Sequence, residues 1–224
     1  MREQITSQTF TRLRQYGSGR TIEGLDLDRV KLDSCILAQH DDPGLGLVVR
    51  DVTISRSSAA NCSVHAVRFE DVTVDGLSLA RLHWFSGCVF KHVTLKGRIG
   101  PLMTIPVNEG IEAGVRTAFN AAIEEYYRDV DWALDISEAE FSDADFYMVP
   151  GHLVRRDPET QFLLRRDVVE KTQGAELPAY AGIAVSRFEA TPFDSLVTVA
   201  PRRSKHFARY LEELEYLRRA GLAE

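Results

Sequence analysis

The chain is poor in several things at once. It holds three cysteines and two tryptophans in 224 residues. No apolar run approaches the roughly 20 residues needed to span a bilayer, which excludes membrane spans of the helical kind. Its charge does not lean basic: 27 lysines and arginines stand against 33 acids, for a net charge of −6. That balance opposes direct binding to nucleic-acid phosphates, and with few outward aromatics, chiefly Phe85 and Tyr147, base stacking has little to work with. An odd cysteine number argues against a disulfide framework. The N-terminal stretch Met1 to Arg20 has four arginines and no apolar segment behind them, so it does not read as an export signal; a cytoplasmic location is the expectation. A Walker A loop, a dinucleotide fingerprint, a metalloprotease helix and a nucleophile elbow are all missing.

What is there is a period of five. From Leu47 to Leu95 one apolar set runs Val49, Ile54, Ala59, Val64, Phe69, Val74, Leu79 and Trp84, then after one extra residue Phe90 and Leu95. Two positions before each comes a second apolar or small residue: Leu47, Val52, Ser57, Cys62, Val67, Val72, Leu77, Leu82, Cys88 and Val93. Five matches neither the 3.6 of a helix nor the 2.0 of a strand. It suits a square coil, each side one unit with two residues turned inward, about twenty residues per turn, successive turns stacked by backbone hydrogen bonds about 4.8 Å apart. Val49 is then expected against Phe69, Ile54 against Val74, Ala59 against Leu79 and Val64 against Trp84. A corner bulge near Phe85-Ser86-Gly87 would restore Phe90 over Phe69 and Leu95 over Val74. Cys35, Cys62 and Cys88 occupy inward small positions, where thiols are ordinary core residues.

Ala139-Glu-Phe141-Ser-Asp and Ala144-Asp-Phe146-Tyr-Met resemble the units of the pentapeptide-repeat family, Ala/Cys/Ser-Asp/Asn-Leu/Phe-x-x. The resemblance implies a mainly-β fold, a right-handed quadrilateral β-helix. The resemblance also brings a function to weigh, because some members mimic duplex DNA and engage type II topoisomerases, while others serve in toxin immunity. Val or Leu often replaces the small residue here, a departure from the family pattern.

Along the chain, residues 1–24 read as an N-terminal cap, with Phe10, Leu13 and Tyr16 at helical spacing. Residues 25–148 carry the β-helix of three to four turns, broken by a loop over Gln39–Gly46. Ile111, Val115, Phe119, Ala122, Ile123, Tyr126 and Val130 predict an inserted amphipathic helix over about 108–132, with Asn108 as its N-cap. Residues 149–224 form an α-rich C-terminal segment. There, Asp157-Pro158-Glu159 starts a helix to about Lys171 or turns a hairpin. Gln173 to Asp194 reads as irregular with a short element at Ala181–Val185, Leu196–Val199 as a strand, and Ser204 to Gly221 as a final helix. That helix has an apolar stripe which docks on its own chain or, as a second reading, forms a homodimer contact.

The chemistry is spare. Cys62 and His65 have metal half-site spacing, but inward cysteines and outward histidines do not converge on one ion, so neither a metal nor any cofactor is expected. Paired outer carboxylates of a β-helix carbohydrate-active enzyme remain an alternative. Charge, however, is unevenly spread: residues 106–146 hold eleven acids against Arg116 and Arg128, while the flanking stretches are nearly balanced. Glu124, Glu125, Asp129, Asp131, Asp135, Glu138, Glu140, Asp143 and Asp145 are the candidate partner-binding residues, an acidic outer face for an unidentified protein with a basic surface. The expected activity is non-catalytic protein recognition, with a DNA-mimic inhibitor of type II topoisomerase as the alternative.

Overall fold

Every fifth residue through most of the first hundred bends the chain into the left-handed region. Ser7, Arg12, Arg29, Ser34, Asp51, Arg56, Asn61, Ala66, Asp71 and His92 all have φ between 48° and 57°, and Gly24, Gly76, Gly87 and Gly97 continue the series at positive φ. Such a residue costs an L-amino acid about 1–2 kcal/mol, so the period is held by the apolar pairs between bends. The computed structural model describes residues 2–170 and 176–224. It is mainly β, with parallel sheets and a few helices.

The strands before the insertion are β1 (Glu3–Thr6), β2 (Thr9–Thr11), β3 (Arg14–Tyr16), β4 (Arg20–Asp28), β5 (Lys31–Asp33), β6 (Ile36–Ala38), β7 (Leu47–Ala60), β8 (Ser63–His65), β9 (Arg68–Leu79), β10 (His83–Ser86), β11 (Val89–Ile99) and β12 (Leu102–Ile105). Helix α1 (Ala113–Arg128) follows, then β13 (Leu134–Asp135), β14 (Ala139–Phe141), β15 (Ala144–Asp145) and β16 (Val154–Arg155). The C-terminal unit comprises β17 (Gln161–Arg165), α2 (Arg166–Val169), α3 (Ala179–Ser186), β18 (Ser195–Val199) and α4 (Phe207–Arg219).

One sheet runs β1-β4-β7-β9-β11-β13-β16, the other β17-β18-β15-β12-β10-β8-β6-β3. Within the repeat region every pairing is parallel and in chain order. Val49 pairs with Phe69, Ile54 with Val74 and Ala59 with Leu79; Phe69 then pairs with Phe90 and Val74 with Leu95, all as the period requires. The spacing lengthens where loops enter: Ile22 pairs with Val49 across the Gln39–Gly46 loop, and Val93 with Leu134 across α1. The loop is stapled by the buried amide of Gln39, which donates to Asp42 and Ala66 carbonyls at 2.9 and 3.1 Å and accepts from the Asp42 N–H at 3.0 Å.

Several expectations fail, each for a physical reason. The N-terminal stretch is no helix. Ile5 pairs with Leu27 and Phe10 with Leu32, so the period already runs at Ile5 and Phe10 among polar neighbours that hide it. Val64 pairs with Phe85, not Trp84: the extra residue lies in Ala80–Leu82, because Phe85 completes a ring cluster with Phe69 at 6.0 Å and Phe90 at 6.3 Å. Trp84 is left 59% exposed. Tyr147, expected outside, is buried, as is His65. The His65 ring lies 4.3 Å from His40 with Nδ1 3.1 Å from the Gln39 carbonyl. Burial first, then His40, lowers its pKa.

Helix α1 is capped by Glu112 rather than Asn108. Its carboxylate accepts from the N–H groups of Gly114 and Val115 at 2.9 and 3.1 Å, and those bonds hold its pKa below the usual range. Phe119, Ile123 and Tyr127, one turn apart, are buried against the ladder, and the Phe90 N–H donates to the Tyr127 hydroxyl at 3.2 Å. After the insertion Leu134, Ile136, Ala139, Phe141, Ala144 and Phe146 are all buried, and β16 adds one more parallel pairing, Leu134 with Val154, beyond the Val149-Pro150-Gly151 stop.

From Asp157 neither a helix nor a local hairpin forms. Asp157 closes a turn, accepting from Glu159 N–H and Thr160 Oγ1 at 2.9 and 2.8 Å, and β17 then pairs antiparallel with the distant β18. Only α2 is helical before Lys171, and that residue, like 172–175, lies outside the described residues. In the following stretch the short element expected at Ala181–Val185 is α3, one to two residues longer at each end. A second core of Phe162, Leu164, Leu196, Leu214 and Leu217 lies under α3 and α4, so the apolar stripe of the last helix is buried within its own chain. This unit closes one end of the ladders. Thr198 pairs with Asp145, Gln161 Nε2 donates to the Ile136 carbonyl at 2.9 Å, and the Arg203 N–H to that of Phe141 at 2.9 Å.

Candidate functional site

The acidic residues fall on α1, on the turn after it, on β13 and β14 of one sheet and at β15 of the other, and they do not form one open face. Glu125, Asp129, Glu138 and Glu140 are exposed, with Glu125 ion-paired to Arg128 on the same helix and Glu140 beside Arg98 in the ladder register. Asp135 accepts from Ser137 Oγ and N–H at 2.6 and 3.1 Å. Asp131 holds His92 Nε2 at 2.7 Å while Asp71 meets His92 Nδ1 at 3.1 Å, which ties the end of α1 to the first sheet. That hydrogen bond lowers the pKa of Asp131.

Glu124 borders a cleft of about 250 Å³ between α1 and residues 189–192, together with Glu189 and with Asn120, whose buried Oδ1 has no hydrogen-bond partner.

Asp143 is exposed, as the repeat frame implies, whereas Asp145 is half-buried because the C-terminal unit folds over it. Both border a second cleft of about 280 Å³ between β15 and helices α3 and α4. The Arg187 Nε donates to Asp145 Oδ2 at 2.7 Å, and its guanidinium lies 4.8 Å over the Tyr147 ring. Burial nevertheless wins over Arg187 and raises the pKa of Asp145; burial likewise raises that of Asp143. Tyr180 donates its hydroxyl to the Val199 carbonyl at 2.7 Å and stacks on Tyr210 with ring centres 3.9 Å apart. Its pKa is raised by burial and then by the two aspartates. Asp145 is on β15 and Asp143 in the bend just before it, neighbours on one wall that do not face each other across the cleft as a glycosidase pair must.

Sequence reasoning found Asp143 and Asp145 but missed Tyr180 and Arg187, which lie in a stretch without the period of five. A signal existed: Tyr180, Ala184 and Arg187 are spaced four and three apart, one face of a helix, and all three border this cleft.

Cys88 is buried, and its thiol is pushed up to about 12 by that burial; the inward cysteines are packing residues. Among the described residues no group of three or more His, Cys, Asp or Glu could hold a metal ion, and no helix is long and apolar enough to cross a membrane. No family model, curated protein or solved structure matches the chain.

Proposed function

We propose that this protein is a non-catalytic recognition module, a right-handed quadrilateral β-helix of the pentapeptide-repeat kind whose acidic region receives a protein partner with a basic surface. The β-helix reading is supported by parallel partners 20 residues apart from Val49 to Phe69 and 21 from Phe69 to Phe90, with a left-handed bend between successive units.

The observation that carries the function is a contrast in pairing. In the first ladders acids are answered by arginines: Arg2 with Asp26 and Asp51, Arg50 with Glu23, Arg56 with Asp28. Around α1 and β14, Asp129 and Glu138 are exposed and no cation pairs with them among the described residues. Excess negative charge of this kind speeds association with a basic surface. The same contrast weighs against duplex-DNA mimicry toward a type II topoisomerase, since a mimic needs charge along the whole solenoid. The side-by-side placement of Asp143 and Asp145 weighs against a carbohydrate-active enzyme.

The test is a comparative pulldown from the native cell lysate with the unaltered protein and with a variant carrying Glu125→Gln, Asp129→Asn, Glu138→Gln and Glu140→Gln. Partners that bind the unaltered protein, weaken with salt and are lost from the variant support the reading. Equal capture and equal salt dependence would reduce the acidic region to solubilising surface.

A further inference from the structure

The cleft between β15 and helices α3 and α4 has a charge balance that the fold leaves open. Asp145 is answered by Arg187. Asp143 is not: among the described residues no cation pairs with it, and the cleft keeps one negative charge in excess. The nearby Arg209 lies 5.1 Å over the Tyr210 ring and is paired with Glu213 at 3.8 Å, so it does not make up the difference.

A second observation is independent of charge. Ser142, which borders the same cleft, has a buried Oγ with no hydrogen-bond partner, and a buried hydroxyl left unsatisfied costs about 1–3 kcal/mol. The residue is partly exposed although the oxygen itself is closed off, so rotation about its Cα–Cβ bond lets the hydroxyl accept from a donor that enters the cleft. The remaining wall combines Met103, Ile183 and the stacked Tyr180 and Tyr210 with the hydroxyl residues Thr198 and Ser204. Ile183 is 51% exposed at the rim. At about 280 Å³ the cleft lies at the lower limit of small-molecule pockets, which run about 300–1,000 Å³.

We propose that this cleft binds one organic cation, a guanidinium or ammonium group on a short apolar stem, with its head at the Asp143 carboxylate and Ser142 Oγ and its stem against Met103 and Ile183. The proposal goes beyond recognition of a basic surface, because it assigns a single cation to named atoms and stands apart from the exposed acids of α1 and β14. The cation comes either from a free amine or from an arginine or lysine side chain of a protein.

The experiment is calorimetric titration of the full chain with butylguanidinium, its neutral isostere butylurea, and N-acetyl-arginine methylamide. Saturable one-to-one binding of a guanidinium probe, at least tenfold tighter than butylurea, is expected. Asp143→Asn should bring that probe down to the level of butylurea. Ile183→Lys, a change at an exposed rim position that leaves the core intact, should weaken it about tenfold by placing a second cation at the mouth. Glu138→Gln with Glu140→Gln should leave probe binding unchanged even where it abolishes capture of a protein partner, so the two readings fail separately. Tighter binding of the arginine methylamide assigns the cation to a protein side chain, and tighter binding of butylguanidinium to a free amine. Equal affinity for the charged probes and butylurea, or full affinity in a folded Asp143→Asn variant, overturns the proposal.

Discussion

In the parallel ladders Val49, Phe69 and Phe90 meet because each lies about one period after the last. In the C-terminal unit Leu164 meets Leu196 through an antiparallel pairing, and Leu163 exchanges backbone hydrogen bonds with the last residue, Glu224, at 3.2 and 2.9 Å. The first arrangement is repetitive, so each residue's partner follows from counting. The second is not, and its contacts depend on how α3 and α4 fold back over β17 and β18. An error in the first is local. Placing Trp84 inward displaces residues only up to Cys88, after which the ladder is in register again.

The largest effects should come from the two cores. Phe141→Ala in the ladder and Phe162→Ala in the C-terminal unit should each cost about 3–5 kcal/mol, since both rings are almost wholly buried. Both tryptophans, Trp84 and Trp132, lie in the ladder region. In urea titrations Phe162→Ala should therefore lower the far-ultraviolet dichroism midpoint more than the tryptophan fluorescence midpoint, while Phe141→Ala lowers both. Coincident midpoints in both variants would mean that the two cores melt as one and would dissolve the contrast.

The joint between the regions is tested by Gly151→Ala. A Cβ there would lie 2.7 Å from the backbone N and C of Leu196 and 2.6 Å from Leu163 Cδ1, so one of the packed segments must move. A cost of about 1–3 kcal/mol is expected in thermal or urea unfolding. Gly100→Ala is its counterpart within the ladder, with the Leu79 N and Cβ both at 2.5 Å.

Across the cleft, Arg187→Met should cost roughly 1–3 kcal/mol at neutral pH by leaving the Asp145 carboxylate unanswered. The pH dependence has a definite sign. Burial already raises the pKa of Asp145, and loss of Arg187 raises it further; as pH falls through that value the carboxyl takes a proton and the deficit shrinks. A deficit that grows on acidification would contradict this.

Smaller still, Trp84→Ala should cost under about 0.5 kcal/mol, in contrast to Phe90→Ala at about 3–5 kcal/mol; equal costs would reverse the assignment of inside and outside at β10. The least effect belongs to Asp131→Asn. The folded pKa of Asp131 is lowered by His92, so its contribution is present above the unfolded pKa and is lost as pH falls through the folded one. The variant should lower the plateau slightly and flatten the acid limb, leaving stability at the acid end unchanged.

How much was legible follows from the same contrast. Leu47 to Leu79 could be placed residue by residue because inward pairs recur with only Ser57 polar, and even Ser57 is buried, its hydroxyl accepting from the Val30 N–H at 3.0 Å. Ile5 and Phe10 follow the same period, yet Thr, Gln and Arg around them left too little apolar contrast to reveal it. Trp84 and Phe85 were interchangeable on pattern alone, and ring packing with Phe69 and Phe90 decided between them. The acidic segment was visible as composition. Its division into exposed, tethered and covered carboxylates was not, because Arg187, His92 and α3 reach those acids from far along the chain.

The ladders end unequally. Strands β1, β2 and β3 are paired on one side only, whereas at the other end β18, Gln161 and Arg203 occupy backbone positions that a further parallel strand would need. A stack with two open ends can polymerise without limit, the hazard of any uncovered sheet edge. At β15 that hazard is removed, because the antiparallel β18 takes the edge on which a further parallel strand would have to add.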